Sequence, residues 1–401
     1  MIPLRPYLEG RNSKLSPLSP HPRPMPQTMQ KTHLYIGLMS GTSMDGVDAV
    51  LCHFPTVKQS SPREVLGHVH LPYAASLRSR LLALQYPSTN ELHHAALLGN
   101  ELADLYAEAI AALLSTSGKA PAEIEAIGCH GQTIRHQPAL GYTLQIGNLA
   151  RLAERTSIRV IGDFRSRDVA ANGQGAPLIP AFHAYRFSDP DTALSLVNIG
   201  GMSNLTRLHP DKPIIGFDCG PGNVLMDAWV HEHLGQPFDT DGQWAAKGVL
   251  DKDLLTTLMN HPFLSALPPK SCGREQFDLP WLKDRLLLQG GRLHRPQDVQ
   301  ATLLTLTVQS IAEAIRQHCP ETSVLMVCGG GARNRHLMTS LEHALPELEV
   351  RTTKAAGLRE DLVEASAFAW LAYCFDHNIP SNLPAVTGAQ GPRILGACYP
   401  A

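Results

Sequence analysis

The sequence predicts an α/β fold with two domains facing each other across a cleft. Three observations lead there. The chain has 401 residues, more than one hydrophobic core ordinarily serves. Hydrophobic residues make up 43%, enough for substantial cores. A strand–glycine-turn–strand device occurs twice, beginning at Leu34 and again at Leu194, as an internal duplication would produce.

The elements follow in order. Residues 1–30 contain the polar, Pro-rich run LSPLSPHPRPMP and lack the apolar centre of a signal peptide, so they read as a disordered extension, with Met29 an alternative start. Residues 31–165 with about 370–401 are expected to form the first domain, and 166–369 the second. Leu34–Met39 is a short apolar run ending in a Ser/Gly turn, which predicts a buried strand. Val47–Phe54 returns from that turn, and residues 64–71 alternate as a third strand. Residues 91–114 carry Leu98, Leu102, Leu105, Ile110 and Leu114 near one helical face. Strands are expected at Ile124–Cys129 and Ile158–Ile161. The opening pattern then repeats: Leu194–Ile199 enters Gly200-Gly201, Leu205–Leu208 returns, and Pro213–Phe217 ends at Asp218. Residues 223–319 are largely helical, best at Val299–His318. Ser323–Val327 is a strand entering Gly329-Gly330-Gly331, and Asp361–Phe375 is a closing helix.

Composition excludes several classes. Lys plus Arg is 34 and Asp plus Glu is 36, a net charge of −2, which argues against a broad nucleic-acid surface. No apolar run reaches the roughly 18 residues of a membrane span. The 8 cysteines are scattered without a C-x-x-C pair, so they read as buried, reduced thiols of a cytoplasmic protein.

The glycine turns do not fit the common phosphate motifs. Gly41 and Gly46 have the spacing of a P-loop, but Val47 and Asp48 follow instead of Lys and Ser/Thr. Gly173-Gln174-Gly175-Ala176-Pro177-Leu178 lacks the third glycine of a dinucleotide fingerprint. What remains is a hairpin turn in which Ser40, Thr42 and Ser43 can donate to phosphate and Asp45 or Asp48 can hold Mg²⁺. Alone, this turn reads equally as an ordinary hairpin, since Ser, Gly and Asp are turn formers. The further turns at Asn198–Asn204 and Gly329–Asn334 suit a triphosphate clamped from both sides.

Asp218 precedes Cys219-Gly220-Pro221-Gly222-Asn223. A carboxylate held rigidly beside such a turn suits a general base, and the reference value of about 3.9 would keep it ionised without tuning. The competing reading is a cap for the next helix, for which Asn223 is better placed. Donor-rich runs follow two strands, at His130-Gly131-Gln132-Thr133-Ile134-Arg135-His136 and at Asp163-Phe164-Arg165-Ser166-Arg167-Asp168. Arg suits a carboxylate, and Gln, His and Thr suit sugar hydroxyls.

Taken together, Met39–Gly46, Cys129–Thr133, Gly173–Leu178, Asn198–Gly201, Phe217–Asn223 and Cys328–Gly331 resemble the anhydro-N-acetylmuramic acid kinase family, in order from about Tyr35 to Ala401. The resemblance implies an actin/Hsp70/sugar-kinase fold of two ribonuclease-H-like domains. It implies that 1,6-anhydro-N-acetylmuramic acid, ATP and water become N-acetylmuramic acid 6-phosphate and ADP, a step of peptidoglycan recycling, in a cytoplasmic homodimer. Carried onto this chain, ATP would lie against Gly41, Thr42, Ser43, Met44, Asp45, Gly46, Val47 and Asp48, with Asn198, Gly200, Gly201, Gly329, Gly330 and Gly331 opposite. Asp218 would be the catalytic base, and His130, Gln132, Arg167 and Glu364 would meet the sugar. Asp45 and Asp48 would hold Mg²⁺. Met44, Ser166 and Asn172 depart from the usual Leu, Arg and Gly. Two alternatives stay open on this reading: a conventional sugar kinase of the same fold, and a nucleotide-dependent binding module.

Overall fold

Leu34–Met39 forms strand β1, buried along nearly its whole length as its uninterrupted apolar run predicts. The computed structural model describes residues 33–41, 44–54, 64–273, 276–290 and 293–401; the expected disordered extension lies outside the described residues. From β1 the chain turns into β2 (Gly46–His53) and β3 (Glu64–Pro72), an antiparallel meander. Helices α1 (Ala75–Ala83) and α2 (Glu91–Ser117) then lead to β4 (Ala126–Cys129), parallel to β1. A separate hairpin follows, β5 (Gln132–Gln137) with β6 (Tyr142–Ile146). Helix α3 (Leu149–Thr156) precedes β7 (Val160–Gly162), parallel to β4.

Helices α4 (Ser166–Val169) and α5 (Ile179–Phe187) carry the chain to the second sheet. There β8 (Leu194–Ile199), β9 (Met202–His209) and β10 (Lys212–Pro221) again form an antiparallel meander. The helical region comprises α6 (Val224–Leu234), α7 (Lys252–Met259), α8 (Pro262–Ser265), α9 (Leu279–Leu287) and α10 (Pro296–His318). Then β11 (Val324–Cys328) joins parallel to β8, α11 (Arg335–Ala344) crosses, and β12 (Glu349–Thr352) joins parallel to β11. Finally come α12 (Val363–Asp376), α13 (Pro384–Thr387) and β13 (Ala397–Tyr399), which pairs antiparallel with β7.

The sheet orders are β13-β7-β4-β1-β2-β3 and β10-β9-β8-β11-β12. Without β13, each runs third-second-first-fourth-fifth in its own chain order, with the same pattern of antiparallel and parallel pairs. The expected α/β class is observed, and the duplication suggested by the two turns is a duplication of topology.

Packing follows from which faces are apolar. Leu34, Ile36 and Leu38 of β1 pack with Leu98, Leu102, Tyr106 and Leu113 of α2. Val197, Ile199, Leu325 and Val327 pack with residues of α6, α10 and α11. The remaining faces of both sheets share a third core, in which Tyr35, Leu196 and Met326 surround α5 and α12. Helix α12 lies hard on the first sheet because Gly37 and Gly128 present no side chain. A Cβ there would stand 1.9 Å from the carbonyl oxygens of Ala365 and Phe368 respectively.

Four strands went unrecognised in the sequence. β12 (EVRT) and β13 (ACY) are short edge strands with little buried area, β5 is polar, and β6 is largely exposed. β10 also runs past its expected end. Asp218 therefore lies inside a strand, at a bulge between Asp218 and Gly220, and not at a strand terminus.

Candidate active site

The β1–β2 turn is built around Ser40. Its hydroxyl accepts from the Tyr73 hydroxyl at 2.7 Å and donates to Gln132 Oε1 in a short bond. Its one proton is thus engaged within the protein, so Ser40 is not the phosphate donor that the sequence suggested. Gln132 Nε2 reaches the Gly41 carbonyl at 3.4 Å, so this amide faces the turn on both sides and anchors it. Met44 takes a left-handed φ of 52°, and its N–H donates to the Gly41 carbonyl at 3.2 Å. Met44, Gly46 and Val47 are buried beneath the turn. Thr42 and Ser43 lie outside the described residues.

The two carboxylates proposed for Mg²⁺ differ. Asp45 is exposed beside the turn and fits a hard cation. Asp48 is half-buried on β2, and its Oδ1 meets His68 Nε2 at 3.1 Å and His70 Nδ1 at 3.0 Å. Only its second oxygen is left for an ion.

His130 follows β4 and is buried. Its Nδ1 faces the Ser40 carbonyl at 3.3 Å, and its Nε2 accepts from Arg165 Nη2 at 3.0 Å. This arrangement fits a neutral ring with the proton on Nδ1. Burial, and then the Arg165 charge, push its pKa down to about 3. Both ring nitrogens have partners, so His130 presents no free donor to a sugar. It holds Arg165 instead.

Arg165, not Arg167, is the inward arginine of its cluster. Its Nη1 donates to the Gly175 carbonyl at 2.8 Å, and burial lowers its pKa to about 10. Arg167 is exposed on α4. The Gly173–Leu178 run, unassigned by sequence, acts as the strut. The fully buried Asp168 accepts from the Gly175 N–H, Asn382 Nδ2 and Thr387 Oγ1 at 2.8, 2.7 and 2.8 Å, fixing the loop that meets Arg165.

Glu364 sits in the first turn of α12. Its pKa is raised, chiefly by burial and further by the Asp48 charge, while Arg165 and a hydrogen bond from Asn198 oppose the rise. That bond, Asn198 Nδ2 to Glu364 Oε1 at 3.2 Å, joins the β8–β9 turn to α12. Around it the glycine turns of the second sheet interlock. Gly222 and Asn223 donate their N–H groups to the carbonyls of Gly201 and Gly200 at 2.9 and 2.8 Å. Asn223 Nδ2 donates to the Ile199 carbonyl at 3.0 Å, so its side chain ties the turns together and does not cap α6 as expected. Gly329 has a φ of 80°, and a Cβ on it would stand 2.2 Å from Asn198 Oδ1; only glycine admits this approach. Gly330 is exposed at the tip, and the Gly329 N–H donates to the Glu360 carbonyl at 2.9 Å, just ahead of Glu364.

Asp218 lies half-buried on β10, which leads straight into the Gly220–Asn223 turn. A loop clamps it: the Asp218 N–H donates to the Lys270 carbonyl at 3.0 Å, and the Cys272 N–H donates to Asp218 Oδ2 at 3.0 Å. Lys270 Nζ is held by the carbonyls of Phe263 and Leu264 at 3.1 and 2.9 Å. Burial raises the Asp218 pKa to about 6, against the opposing Cys272 N–H and Lys270 charge. The carboxylate is therefore tuned, contrary to the sequence expectation of an ordinary value. A base of this strength is mostly ionised at neutral pH and also takes a proton more readily than a free carboxylate.

Arg165, Asn223 and the Lys270–Cys272 clamp were missed as site residues. Arg165 stood in a recognised donor run, but nothing in sequence separated it from Arg167. The clamp is more than 50 residues from Asp218 and carries no motif.

A family model, described as anhydro-N-acetylmuramic acid kinase, matches residues 33–401. Relatives bearing that name include one from Chromobacterium violaceum, 53% identical over 92% of this chain and 100% of its own length. Another, from Nitrosospira multiformis, is 53% identical over 92% and 100% of the two chains. A third, from Pseudomonas putida, is 52% identical over 92% and 99%. Among solved structures, a ROK family glucokinase from Streptomyces griseus covers 84% of this chain and 99% of its own at 14% identity, with a TM-score of 0.38, too low to bear on the assignment. On the match of nearly its whole length, the chain belongs to the anhydro-N-acetylmuramic acid kinase family.

Proposed function

We propose that this chain is an ATP-dependent kinase that opens the 1,6-anhydro ring of 1,6-anhydro-N-acetylmuramic acid with water and phosphorylates O6. The products are N-acetylmuramic acid 6-phosphate and ADP. Family membership supports the reaction, and the observation that carries the mechanism is the clamped Asp218 with its pKa raised to about 6.

In this reading Asp218 takes a proton from water as the water oxygen bonds to the anomeric carbon. The bond from that carbon to O6 breaks, and O6 attacks the γ-phosphorus while ADP leaves. Asp218 returns its proton to solvent. The N–H of Cys272 keeps one carboxylate oxygen fixed, which orients the other oxygen as the base. Glu364, steadied by Asn198, is the acceptor for a sugar hydroxyl, and Arg167 is exposed and available to an anionic substituent. ATP phosphates lie against the Gly41–Asp48 turn on one side and Asn198, Gly200, Gly201 and Gly329–Gly331 on the other. Asp45, with the second oxygen of Asp48, would hold Mg²⁺, which when bound neutralises phosphate charge. His130 and Gln132 serve this site by holding Arg165 and the first turn.

The two sheets with their helices form the two domains of this reading, and closure between them would exclude water from the nucleotide. The working form is a cytoplasmic homodimer in peptidoglycan recycling. Most of its thiols are buried and none is paired among the described residues, in keeping with a reducing compartment. Among the described residues no helix is long and apolar enough to cross a membrane.

The test is turnover in oxygen-18 water with Mg-ATP, scored by mass spectrometry. The label should appear at the anomeric carbon of the phosphorylated product. A phosphorylated product without label would overturn ring opening, and no phosphorylated product would overturn the assignment. Asp218→Asn should bind nucleotide yet complete neither step.

A further inference from the structure

We propose that a cleft at the β12 edge of the second sheet binds a small oxyanion, a phosphate monoester or a carboxylate, separately from the glycine turns. The cleft has a volume of about 240 Å³ and is lined by Arg186, Phe187, Asp189, Thr192, Leu194, Met326, Arg351 and Ala356. Leu194 begins β8, whereas the Asn198–Gly201 turn lies at its other end. Four residue steps of extended strand put roughly 13 Å between Leu194 and Asn198.

Two guanidiniums converge here from different elements. Arg186 stands in the last turn of α5, and its Nη2 donates to the Ala356 carbonyl at 2.6 Å, which fixes the group against the wall. Arg351 stands on β12 opposite Met326, so both side chains rise from one face of the sheet. Its Nη1 meets Glu349 at 3.2 Å, an exposed contact that solvent screens. Its Nε is buried and has no hydrogen-bond partner. The half-exposed side chain therefore offers its terminal nitrogens, and not Nε, to an oxyanion in the cleft. Phe187, Leu194, Met326 and Ala356 supply an apolar floor, and Thr192 adds a hydroxyl at the rim. Asp189 is exposed at the rim, where solvent screens its charge, and its Oδ1 accepts from the Asp191 N–H at 2.8 Å. The volume admits a compact ligand and not a nucleotide.

The site also touches the segment that carries Glu364. Ala356, held by Arg186, is followed by Glu360, whose carbonyl accepts from Gly329, and then by Glu364. An occupant would stiffen that connection.

The test is thermal melting of the full chain, with the nucleotide site filled by a non-hydrolysable ATP analogue. Inorganic phosphate and acetate are titrated separately against chloride at equal ionic strength. The wild type should show a saturable rise in melting temperature. A rise with phosphate alone identifies a phosphate monoester site, and a rise with acetate alone a carboxylate site. Arg351→Gln should raise the half-saturating concentration by roughly tenfold or more. Thr192→Phe, which fills the cleft and keeps both arginines, should abolish the effect and guards against misfolding of the first variant. Kinase turnover without added anion should be unchanged in both. No saturable rise with either anion in the wild type, or a rise that survives both substitutions, overturns the proposal.

Discussion

Asn198 Nδ2 donates to Glu364 Oε1 at 3.2 Å, across 166 residues of sequence, and so joins the β8–β9 turn to the helix that lies on the first sheet. Removing the donor leaves Arg165 alone to oppose the rise that burial and the Asp48 charge impose on the Glu364 pKa. Asn198→Ala should lower kcat/KM by roughly tenfold to a hundredfold, since hydrogen bonds to charged groups contribute roughly 1.5–3 kcal/mol. Asn198→Asp should be worse, because it sets a carboxylate against Glu364. Steady-state kinetics of both variants check this. Unchanged kcat/KM in the aspartate variant would remove Glu364 from the site.

Gly329→Ala places a Cβ 2.2 Å from Asn198 Oδ1 on a backbone of φ 80°. Strain of this kind costs about 1–3 kcal/mol, and the melting temperature should fall by a few degrees. Because Asn198 Oδ1 makes the shortest of the clashes, with the Ile199 carbonyl oxygen next at 2.8 Å, Gly329→Ala with Asn198→Ala should be somewhat less destabilised than the sum of the single changes. Strict additivity in denaturant melts would refute the close approach.

The pH profile should report Asp218. On the proposed mechanism the active form is the carboxylate, and burial raises its pKa to about 6. As pH falls through 6 the carboxylate takes a proton, so kcat/KM should drop about tenfold per unit below that value. An acid limb near 4 would show that Asp218 is not tuned. Stability responds in the opposite sense at this residue. The folded carboxyl binds its proton more tightly than the unfolded one, so its contribution grows as pH falls from about 6 towards the unfolded value.

Arg165 and Arg167 should separate cleanly. Arg165→Met leaves His130 Nε2 and the Gly175 carbonyl without their donor, at a cost of about 2–3 kcal/mol of stability together with loss of activity. Arg167→Met removes an exposed side chain and should change stability by no more than about 0.5 kcal/mol. A rise in KM for the sugar in the second variant, with kcat retained, would support its role in substrate binding.

Much of the fold was legible along the chain because strands buried on both faces need continuous apolar runs. Leu34–Met39, Leu194–Ile199 and Val324–Cys328 announce themselves in this way, and the long helices show their period. The glycine turns were also legible, since glycine after a buried strand is a local requirement of backbone geometry. Edge strands such as β12 and β13 were not, because hydrogen bonding to a neighbour, and not their own composition, makes them strands.

The site divides on the same physical line. Sequence alone singled out three glycine turns and one well-flanked aspartate, Asp218, as the candidate site. Only the tertiary structure decided what each side chain is free to do. Ser40, Gln132 and His130 have donor chemistry in sequence, yet acceptors from elsewhere in the chain, Gln132 Oε1, the Gly41 carbonyl and the Ser40 carbonyl, take up those donors. The strength of Asp218 likewise depends on burial and on Cys272, 54 residues away. Residue type sets which hydrogen bonds and charges are possible; contacts made across the fold decide which groups remain for a substrate.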